Sequence, residues 1–440
     1  MSIRMKAAAL AAGAMLLLGG CAKADRSAQI QEKLQQMLFP ADPHGHGVTV
    51  TMSGPGEYKA DIPDWRRLSS SAITLGHASF ILHQDGDDHY RVDHFVIPKT
   101  LDITQGAAGT TTHITYETAD LSGLWDASLN QFTALSGDLH HVTVRQGANA
   151  FATTIGAVHY EQKLTPAGAG RFNGSGQIDL VDLATQEDQG GTRPNARHIR
   201  SEVTVMDYNL AGYLAKIGEL AALARQNQPL KLLSWGLRLL AENVGAVQST
   251  VTMEGVAALP GGLAIPDLQV TLAVADMEKR SGSVRLHAVL LPRTDKSQLD
   301  IALTHVAPRD ALSALAMDLD QQDTAAPHLL SRLRSDGAEL AVDIRNTSQP
   351  NNNFSGKGQM TFLPEAKLFV AGSFDIDIEN AQAYTAVLGA LPPAQQQLIA
   401  QLLSLSEERP GPNGTTMNHF HLELDRGGAF SLNGRPLGAP

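Results

Sequence analysis

Two histidines and a glutamate alternate with apolar residues near the C-terminal end of the chain, in the segment His419-Phe-His-Leu-Glu423. On a β-strand, His419, His421 and Glu423 share one face, because successive side chains point to opposite sides. Two imidazoles at this spacing can bind zinc when a neighbouring strand supplies a further ligand, and an open coordination position can then activate water. The simpler interpretation is a solvated polar face opposite the apolar side of the strand. The segment is a candidate metal site for a hydrolase and nothing more specific.

Other motifs with catalytic or phosphate-binding chemistry are missing from the sequence. It contains no G-x-S-x-G nucleophile elbow, and Cys21 is its only cysteine. The glycine pairs Gly174/Gly176 and Gly356/Gly358 have no following Lys-Ser/Thr, so they form neither a P-loop nor a dinucleotide-binding turn. We interpret these glycines as bulges or tight bends in strands. The sequence therefore predicts no catalytic residue outside the histidine strand, and it predicts no cofactor.

Cys21 could carry a different chemistry, the addition of lipid to its thiol. Arg4 and Lys6 precede an apolar stretch of signal-peptide length that is too short to span a bilayer. The stretch ends in Leu18-Gly-Gly-Cys21, which resembles the lipobox of bacterial lipoproteins and predicts cleavage between Gly20 and Cys21. A diacylated and N-acylated cysteine, with chains such as palmitate, carries enough methylene groups for stable anchoring. An ordinary signal peptide with a chance cysteine is the alternative.

Residue 22 and the charge balance bear on location and partners. Ala22 follows the cysteine, whereas an aspartate there holds many lipoproteins at the inner membrane. We therefore expect a lipid anchor in the outer membrane of the cell envelope, with the chain facing the periplasm. The net charge is −11, from 34 basic and 45 acidic residues, and removal of Arg4 and Lys6 with the signal leaves −13. This balance argues against a nucleic-acid partner, so the expected partners are a membrane, a lipid ligand or an envelope protein.

The elements that must position these residues are mostly strands. Residues 25–38 predict a short helix with Ile30 and Leu34 on one side, which we interpret as a stalk between the lipid and a Pro/Gly/His hinge. From Val48 onward the dominant period is two, which is typical of half-buried antiparallel strands. The clearest runs are residues 198–205, 283–290, 299–303 and 374–378, and the runs 72–84 and 151–164 are unusually long.

Helical periodicity is confined to five later segments, residues 210–224, 230–244, 309–317, 381–391 and 394–405. In the segment 230–244, Leu232, Trp235 and Leu239 widen the apolar stripe beyond that of an ordinary amphipathic helix. A stripe of this width needs an apolar neighbour. We expect packing against the sheet, and a surface formed by these three residues for a membrane, a partner or an apolar ligand is the alternative.

Short similarities recur in the same order in the two halves of the chain. They are Val50-Thr-Met-Ser-Gly54 with Val251-Thr-Met-Glu-Gly255, Ile62-Pro-Asp64 with Ile265-Pro-Asp267, Gly174-Ser-Gly-Gln177 with Gly356-Lys-Gly-Gln359, and Asn209, Tyr213 and Gly218 with Asn380, Tyr384 and Gly389. Their common order indicates an internal duplication. In the last block we expect Asn209 or Asn380 to cap a helix, with the tyrosine four residues later directed to the sheet.

These patterns predict an α+β fold dominated by β-structure. Long, twisted antiparallel strands from two duplicated halves form the sheet or sheets, and a short helix pair closes each half. The expected segments are a signal peptide at 1–20, the lipidated cysteine with a helix and hinge at 21–47, a first β-rich half at 48–246 and a second at 247–440.

Three stretches carry a resemblance to known families. They are Gly56-Glu-Tyr-Lys-Ala-Asp-Ile-Pro63, Ser122-Gly-Leu-Trp-Asp126 and Gly428-Ala-Phe-Ser-Leu-Asn-Gly-Arg-Pro436. The layout resembles uncharacterised proteobacterial envelope lipoproteins with a domain of unknown function and, more remotely, the AsmA-like proteins associated with outer-membrane lipid homeostasis. The resemblance implies a β-rich envelope protein with a lipid-related role, and it implies no catalytic residues.

Three functional hypotheses follow. The leading one is a non-catalytic envelope lipoprotein that binds lipid, or a lipidated or membrane-bound partner, through a concave apolar sheet face, since a sheet of long strands must bury one face. The second is a structural or assembly lipoprotein that docks envelope proteins through strand edges or the segment 230–244. The third is a metal-dependent hydrolase that uses His419 and His421.

Overall fold

The computed structural model describes residues 25–39, 42–68, 71–105, 110–146, 151–187, 195–216, 229–256, 267–290, 297–322, 325–346, 353–380, 403–411 and 414–437. The predicted signal peptide and lipidation site, with Gly20 and Cys21, lie outside these residues. The predicted helix 381–391 and most of the predicted helix 394–405 also lie outside them. Strands dominate the described residues, and they form one long antiparallel sheet, which confirms the predicted β-dominated fold.

The strands of the N-terminal region are short, apart from β2, β3 and β8. They are β1 (Thr49–Gly54), β2 (Glu57–Leu68), β3 (Ser71–Gln84), β4 (His89–Val96), β5 (Thr100–Gln105), β6 (Thr110–Thr115), β7 (Thr118–Asp126) and β8 (Gln131–Gln146). β3 pairs with β4 through one half and with β5 through the other, and β8 pairs in the same way with β7 and β6. Residues 85–88 form the turn between β3 and β4.

The remaining strands form a meander. They are β9 (Phe151–Gly168), β10 (Arg171–Glu187), β11 (Ala196–Tyr208), β12 (Ala246–Glu254), β13 (Leu268–Ala275), β14 (Gly282–Leu290), β15 (Ser297–Val306), β16 (Glu339–Asn346), β17 (Phe354–Phe362), β18 (Val370–Glu379), β19 (Glu407–Pro410), β20 (Thr416–Leu424), β21 (Phe430–Leu432) and β22 (Arg435–Leu437). From β8 to β18, consecutive strands pair in sequence order, and β18 then pairs with β20. Because β11 pairs with β12, both predicted halves belong to the same sheet.

The tightest core lies in the N-terminal region, between β1 to β4, β7 and the helix α1 (Ser27–Leu38). Ile30 and Leu34 of α1 are fully buried in this core, and an aromatic group of Tyr58, Tyr90 and Trp125 lies beside them. The interpretation of this helix as a stalk is therefore wrong. Its apolar stripe covers the sheet, where burial of such side chains stabilises the fold, instead of standing free in solvent.

The later helices lie at one end of the strands. A helix begins at residue 210 after β11 and is described to residue 216; α2 (Pro229–Asn243), α3 (Pro308–Gln321) and α4 (Pro327–Asp336) follow along the chain. The helix that begins at residue 210 and the helix α2 are the pair predicted for the first half. We expected α2 to pack on the sheet, and this expectation is wrong, because α2 packs on α3. Between the two helices, Ser234 Oγ donates to the Ala316 carbonyl (3.0 Å) and Arg238 pairs with Asp320.

The helix α4 was not predicted, since its stripe is short and its composition is polar. One of its contacts with the rest of the fold is a small cluster in which Leu333 packs with Val306, Ala311 and Ala338, and these residues join α3 and α4 to the ends of β15 and β16. Gly337 ends α4 in the left-handed conformation (φ 66°), which glycine adopts without strain.

Candidate functional site

One side of the sheet is apolar across eleven adjacent strands, β9 to β18 and β20. Residues directly opposite each other in an antiparallel pair point to the same side, so the register identifies the side chains that share it. We call this side the apolar face. Its members are Val158, Tyr160, Leu164, Ile178, Leu180, Ile199, Val203, Val205, Val247, Val251, Met253, Val270, Leu272, Val274, Val284, Leu286, Leu299, Ile301, Leu303, Leu340, Val342, Ile344, Phe354, Met360, Phe362, Phe374, Ile376, Ile378, Phe420, Leu422 and Leu424.

The apolar face is incompletely covered. Only Val274 and Phe420 among its members are buried, whereas Ile178, Val203 and Leu272 remain 43%, 39% and 45% exposed. The other members are partly buried. This differs from the N-terminal core, where side chains of the same types have almost no contact with solvent. In the described residues, α3 and α4 contact β14, β15 and β17, so the part of the face on β10, β11 and β13 stays accessible to an apolar molecule.

A cavity of about 380 Å³ opens on the apolar face over β9, β10 and β11. Gly174 and Gly176 of β10 form its floor, because they place no side chain on this side. Leu164 of β9 and Val203 of β11 flank the glycines, and Ile178 follows them along β10. Gln162 and Ser201 also line the cavity, and no Asp, Glu, Lys or Arg among the described residues does so. Its volume falls at the lower end of the range for small-molecule sites.

Two tyrosines form one end of this cavity. Asn209 caps the helix that begins at residue 210, because its Oδ1 accepts a hydrogen bond from the Gly212 N–H (3.0 Å), as predicted. The cap places Tyr213 against Tyr208, with ring centroids 5.5 Å apart, so the predicted contact of Tyr213 with the sheet is confirmed. Burial, together with the neighbouring Tyr213, raises the pKa of Tyr208, so this end of the cavity is uncharged at neutral pH.

The interpretation of the glycine pairs as bulges or tight bends is wrong for most of them. Gly176, Gly356 and Gly358 lie in continuous ladders, and only Gly174 lies next to a register shift. Their missing side chains make room for larger neighbours. A Cβ on Gly358 would lie 2.1 Å from Cδ2 of Phe374, so this glycine is required for the ring to lie on the strand.

The opposite side of the sheet, the polar face, is crossed by histidine–aspartate pairs. Each histidine lies directly opposite an aspartate on the neighbouring strand and hydrogen-bonds to it through Nδ1. The pairs are His159–Asp138 (2.9 Å), His287–Asp300 (2.7 Å), His419–Asp377 (2.8 Å) and His421–Asp375 (2.7 Å). Outside the eleven strands, His113 of β6 and Asp102 of β5 form a pair of the same kind (2.7 Å). The polar face therefore satisfies many of its own polar groups across strands.

The predicted metal ligands lie in this array. His419, His421 and Glu423 share one side of β20, as predicted, but the two histidines bond to Asp377 and Asp375. Glu423 lies opposite Ser373, at the far end of the row. Within the described part of the chain, no three His, Cys, Asp or Glu side chains have an arrangement that could hold a metal ion. The described residues thus supply no further metal ligand beside His419 and His421, which the hydrolase hypothesis requires.

Asp179 is the most heavily bonded carboxylate of the polar face. It accepts hydrogen bonds from Arg200 Nε (2.6 Å) and Gln177 Nε2 (2.6 Å), and His198 Nε2 lies 3.2 Å away. Burial alone would raise the pKa of Asp179, but the bonds from Arg200 and Gln177 outweigh it and lower the pKa. The carboxylate stays ionised and paired, which is the behaviour of a structural ion pair and not of a proton donor.

The predicted surface on α2 is only partly formed. Leu232 is exposed, whereas Trp235 and Leu239 are partly buried. Leu230 and Leu233 are also exposed, at 42% and 52%. The first turns of α2 therefore present three leucines to solvent.

Comparisons with family models, with curated proteins and with solved structures gave no match to this chain. None of the described helices combines the length and the apolar character that a membrane crossing requires. The apolar face and its cavity are thus the main features that bear on function. Sequence reasoning missed the cavity, although one signal was present: a glycine pair faces Val203, whereas the matching pair in the second half faces Phe374.

Proposed function

We propose that this chain is a non-catalytic envelope lipoprotein, anchored through Cys21, that binds lipid through the apolar face. The observation that supports the proposal is the combination of an eleven-strand apolar face with side chains on β10, β11 and β13 that remain more than a third exposed. At about 4.8 Å between strands and about 3.4 Å per residue, the face measures roughly 50 Å by 20 Å. Exposed apolar patches on soluble monomers rarely exceed a few hundred Å². A face of this size indicates a binding surface.

The chemistry of the face favours acyl chains over polar ligands. The backbone N–H and C=O groups of its strands are used in the sheet ladders, so they offer few hydrogen bonds to a ligand. The side chains are aliphatic or aromatic, with isolated polar residues such as Ser201 and Ser249. A ligand on this face gains free energy mainly from apolar burial, at roughly 25 cal/mol per Å². Hydrocarbon chains obtain this gain without any cost of desolvating polar groups.

The charge distribution and the expected anchor are consistent with lipid. Ionised and hydrogen-bonding side chains are concentrated on the polar face, where the histidine–aspartate pairs lie, so the two sides of the sheet differ sharply in solvation. A lipid anchor on Cys21 would keep the apolar face beside a membrane that contains acyl chains. Lipid binding by an envelope lipoprotein therefore accounts for the surface and agrees with the expected location.

The proposal is tested by measuring the lipid that the purified protein retains. The Cys21→Ser chain, exported to the periplasm and purified without detergent, should carry phospholipid that organic extraction and mass spectrometry can quantify. Val203→Glu places a carboxylate on the apolar face and should reduce the retained lipid by roughly tenfold or more, because a buried unpaired charge is costly. Thr204→Glu is the matched control, since Thr204 is the next residue of β11 and is exposed on the polar face. Absence of lipid from the unmutated protein, or equal loss in both variants, would refute the proposal.

A second function, docking of an envelope protein, is favoured by one observation, the exposed Leu230, Leu232 and Leu233 of α2. Leucines at these positions could enter an apolar groove on a partner. Crosslinking in cells would detect such a partner, and Leu233→Glu should abolish the crosslink while leaving retained lipid unchanged.

A further inference from the structure

We propose that the cavity over Gly174 and Gly176 is a subsite for one acyl chain of a membrane phospholipid. The inference rests on the proposed lipid-binding function and assigns a particular place on the apolar face to the ligand. Two positions within this molecule share one strand pattern, and a phenyl ring covers the glycines at one of them, whereas only smaller side chains lie beside the glycines at the other.

The two positions have the same local architecture. Gly174 and Gly176 lie in β10, which pairs with β11; Gly356 and Gly358 lie in β17, which pairs with β18. Opposite Gly176 stands Val203, and opposite Gly358 stands Phe374. These positions correspond further, because Val203 is six residues before Asn209 and Phe374 is six residues before Asn380.

At the second position the chain fills the depression with its own ring. A Cβ added to Gly358 would lie 2.1 Å from Cδ2 of Phe374, and one added to Gly356 would lie 3.1 Å from Cε1 of the same ring. The phenyl ring of Phe374 therefore lies on both glycines. A glycine pair on this face thus leaves room for a flat, apolar group.

At the first position the smaller Val203 stands where the ring stands at the second. Over Gly174 the space is taken by Val205 and Leu164, whose Cγ2 and Cδ2 atoms would lie 2.8 Å and 3.0 Å from an added Cβ, whereas Gly176 is less crowded. A Cβ on Gly176 would lie 3.3 Å from Cγ1 of Val203. The resulting cavity of about 380 Å³ is lined mostly by apolar groups, with Gln162 and Ser201 among them and no charged side chain among the described residues, and Ile178 and Val203 at its wall are both more than a third exposed. An occupant must therefore be apolar, as Phe374 is at the second position.

An acyl chain fits these constraints better than a polypeptide segment. The cavity is continuous with the apolar face along β11 and β12, so a hydrocarbon chain can extend from it without meeting a charge. A peptide would bring backbone N–H and C=O groups that need partners, unless it were helical, and a helix about 10 Å wide is too broad for a floor of two glycines. The phospholipid is the source we assign, because the expected anchor on Cys21 places the chain at a membrane.

The experiment uses a phosphatidylethanolamine with a diazirine at the middle of one acyl chain, mixed into vesicles of phosphatidylethanolamine and phosphatidylglycerol. The Cys21→Ser chain is incubated with the vesicles, irradiated, separated from them and digested for mass spectrometry. Crosslinks should concentrate on β9 to β11, at Leu164, Val203 and Val205. An even distribution over β12 to β18 would overturn the assignment, and so would displacement of the probe by free palmitate at lower concentration than by unlabelled phospholipid.

Two substitutions test the comparison directly. Val203→Phe supplies the ring that Phe374 provides at the second position. It should lower crosslinking on β9 to β11 by roughly tenfold, because an acyl chain that loses the burial of about two methylene groups binds more weakly by about this factor. Leu272→Phe is the control, because Leu272 lies on the same face two strands away and is similarly exposed. Phe374→Val should open the second depression and create new crosslinks on β17 and β18. Unchanged patterns in both Val203→Phe and Phe374→Val would refute the subsite.

The outcome also separates this inference from the function on which it rests. Total phospholipid bound to each variant is measured by extraction of the same samples. Bound phospholipid with crosslinks away from β9 to β11 would overturn the subsite and leave the proposed function intact. Absence of bound phospholipid from the unmutated chain would overturn both.

Discussion

Replacement of Asp318 by asparagine should weaken the junction between α3 and α4. Asp318 is 1% exposed, and its carboxylate accepts hydrogen bonds from the N–H groups of Leu329 (2.9 Å) and His328 (3.0 Å) and bonds to His328 Nδ1 (2.7 Å). The two backbone groups belong to the first turn of α4, whose own N-cap residue, Ala326, has no side-chain oxygen. Asp318 therefore acts as the cap of α4 from the neighbouring helix.

The magnitude follows from these bonds. Asparagine retains one oxygen and presents an amide nitrogen in place of the other, so at least one buried donor loses its acceptor. A hydrogen bond to a charged group contributes about 1.5 to 3 kcal/mol, and an unpaired buried group costs about 1 to 3 kcal/mol. We expect Asp318→Asn to lower the free energy of unfolding by about 2 to 4 kcal/mol at pH 7, measured by urea titration followed by circular dichroism.

The loss should depend on pH in a defined direction. Burial would raise the pKa of Asp318, but the hydrogen bonds from Leu329 and His328 outweigh burial, and the pKa is lowered in the folded state. The carboxylate therefore contributes its full stability above the ordinary aspartate pKa of about 3.9, and the contribution is lost as the pH falls through the lower folded-state pKa. The difference between the two proteins should be constant from about pH 5 to 7 and should shrink below about pH 4.

Asp310→Asn is the matched control, because Asp310 also belongs to α3 but its side chain is 48% exposed and pairs with Arg332 at 2.8 Å. An exposed pair of this kind contributes at most about 1 kcal/mol. Equal losses for Asp318→Asn and Asp310→Asn, or a loss for Asp318→Asn that grows as the pH falls below 4, would refute the capping argument.

Two further substitutions test other parts of the fold by the same urea titration. Leu34→Ala should lower the free energy of unfolding by about 2 to 5 kcal/mol, because the side chain is fully buried in the N-terminal core, and an unchanged midpoint would restore the stalk interpretation of α1. Asn209→Ala should cost about 0.5 to 2 kcal/mol through loss of the helix cap, whereas Asn209→Asp should retain most of the stability; similar losses in both would contradict the cap.

The sequence predicted the strands well because their period of two is a local property. The runs 198–205, 283–290, 299–303 and 374–378 all lie within strands, and the long runs 72–84 and 151–164 lie in β3 and β9. The packing of α1 was not predictable in this way. Its stripe of Ile30 and Leu34 indicates that it must be buried, but only the long-range arrangement of β1 and β2 determines where.

Identification of the candidate site requires the register of the strands, which the sequence alone does not determine. A shift of one residue moves every side chain of a strand to the other face, so neither the histidine–aspartate pairs nor the apolar face can be identified before the pairing is known. For this reason the sequence indicates that His419 and His421 share one side of a strand, but it does not indicate the aspartates to which they bond. Asp377 and Asp375 also alternate along one strand, but nothing local indicates that β18 and β20 are neighbours.

The arrangement of helices strengthens the argument for a ligand on the apolar face. A sheet with one apolar side is ordinarily covered by helices or by a second sheet. Here α2 packs on α3 and α3 on α4. The Arg309 N–H of α3 donates to the Met277 carbonyl in the turn after β13 (2.9 Å), and the N–H of Gly245, which joins α2 to β12, donates to the Met206 carbonyl of β11 (2.9 Å). The helices α2 and α3 thus pack mainly on each other and on α4, and not across the apolar face. Val203 and Leu272 keep their exposure, and an acyl chain would remove that surface from water.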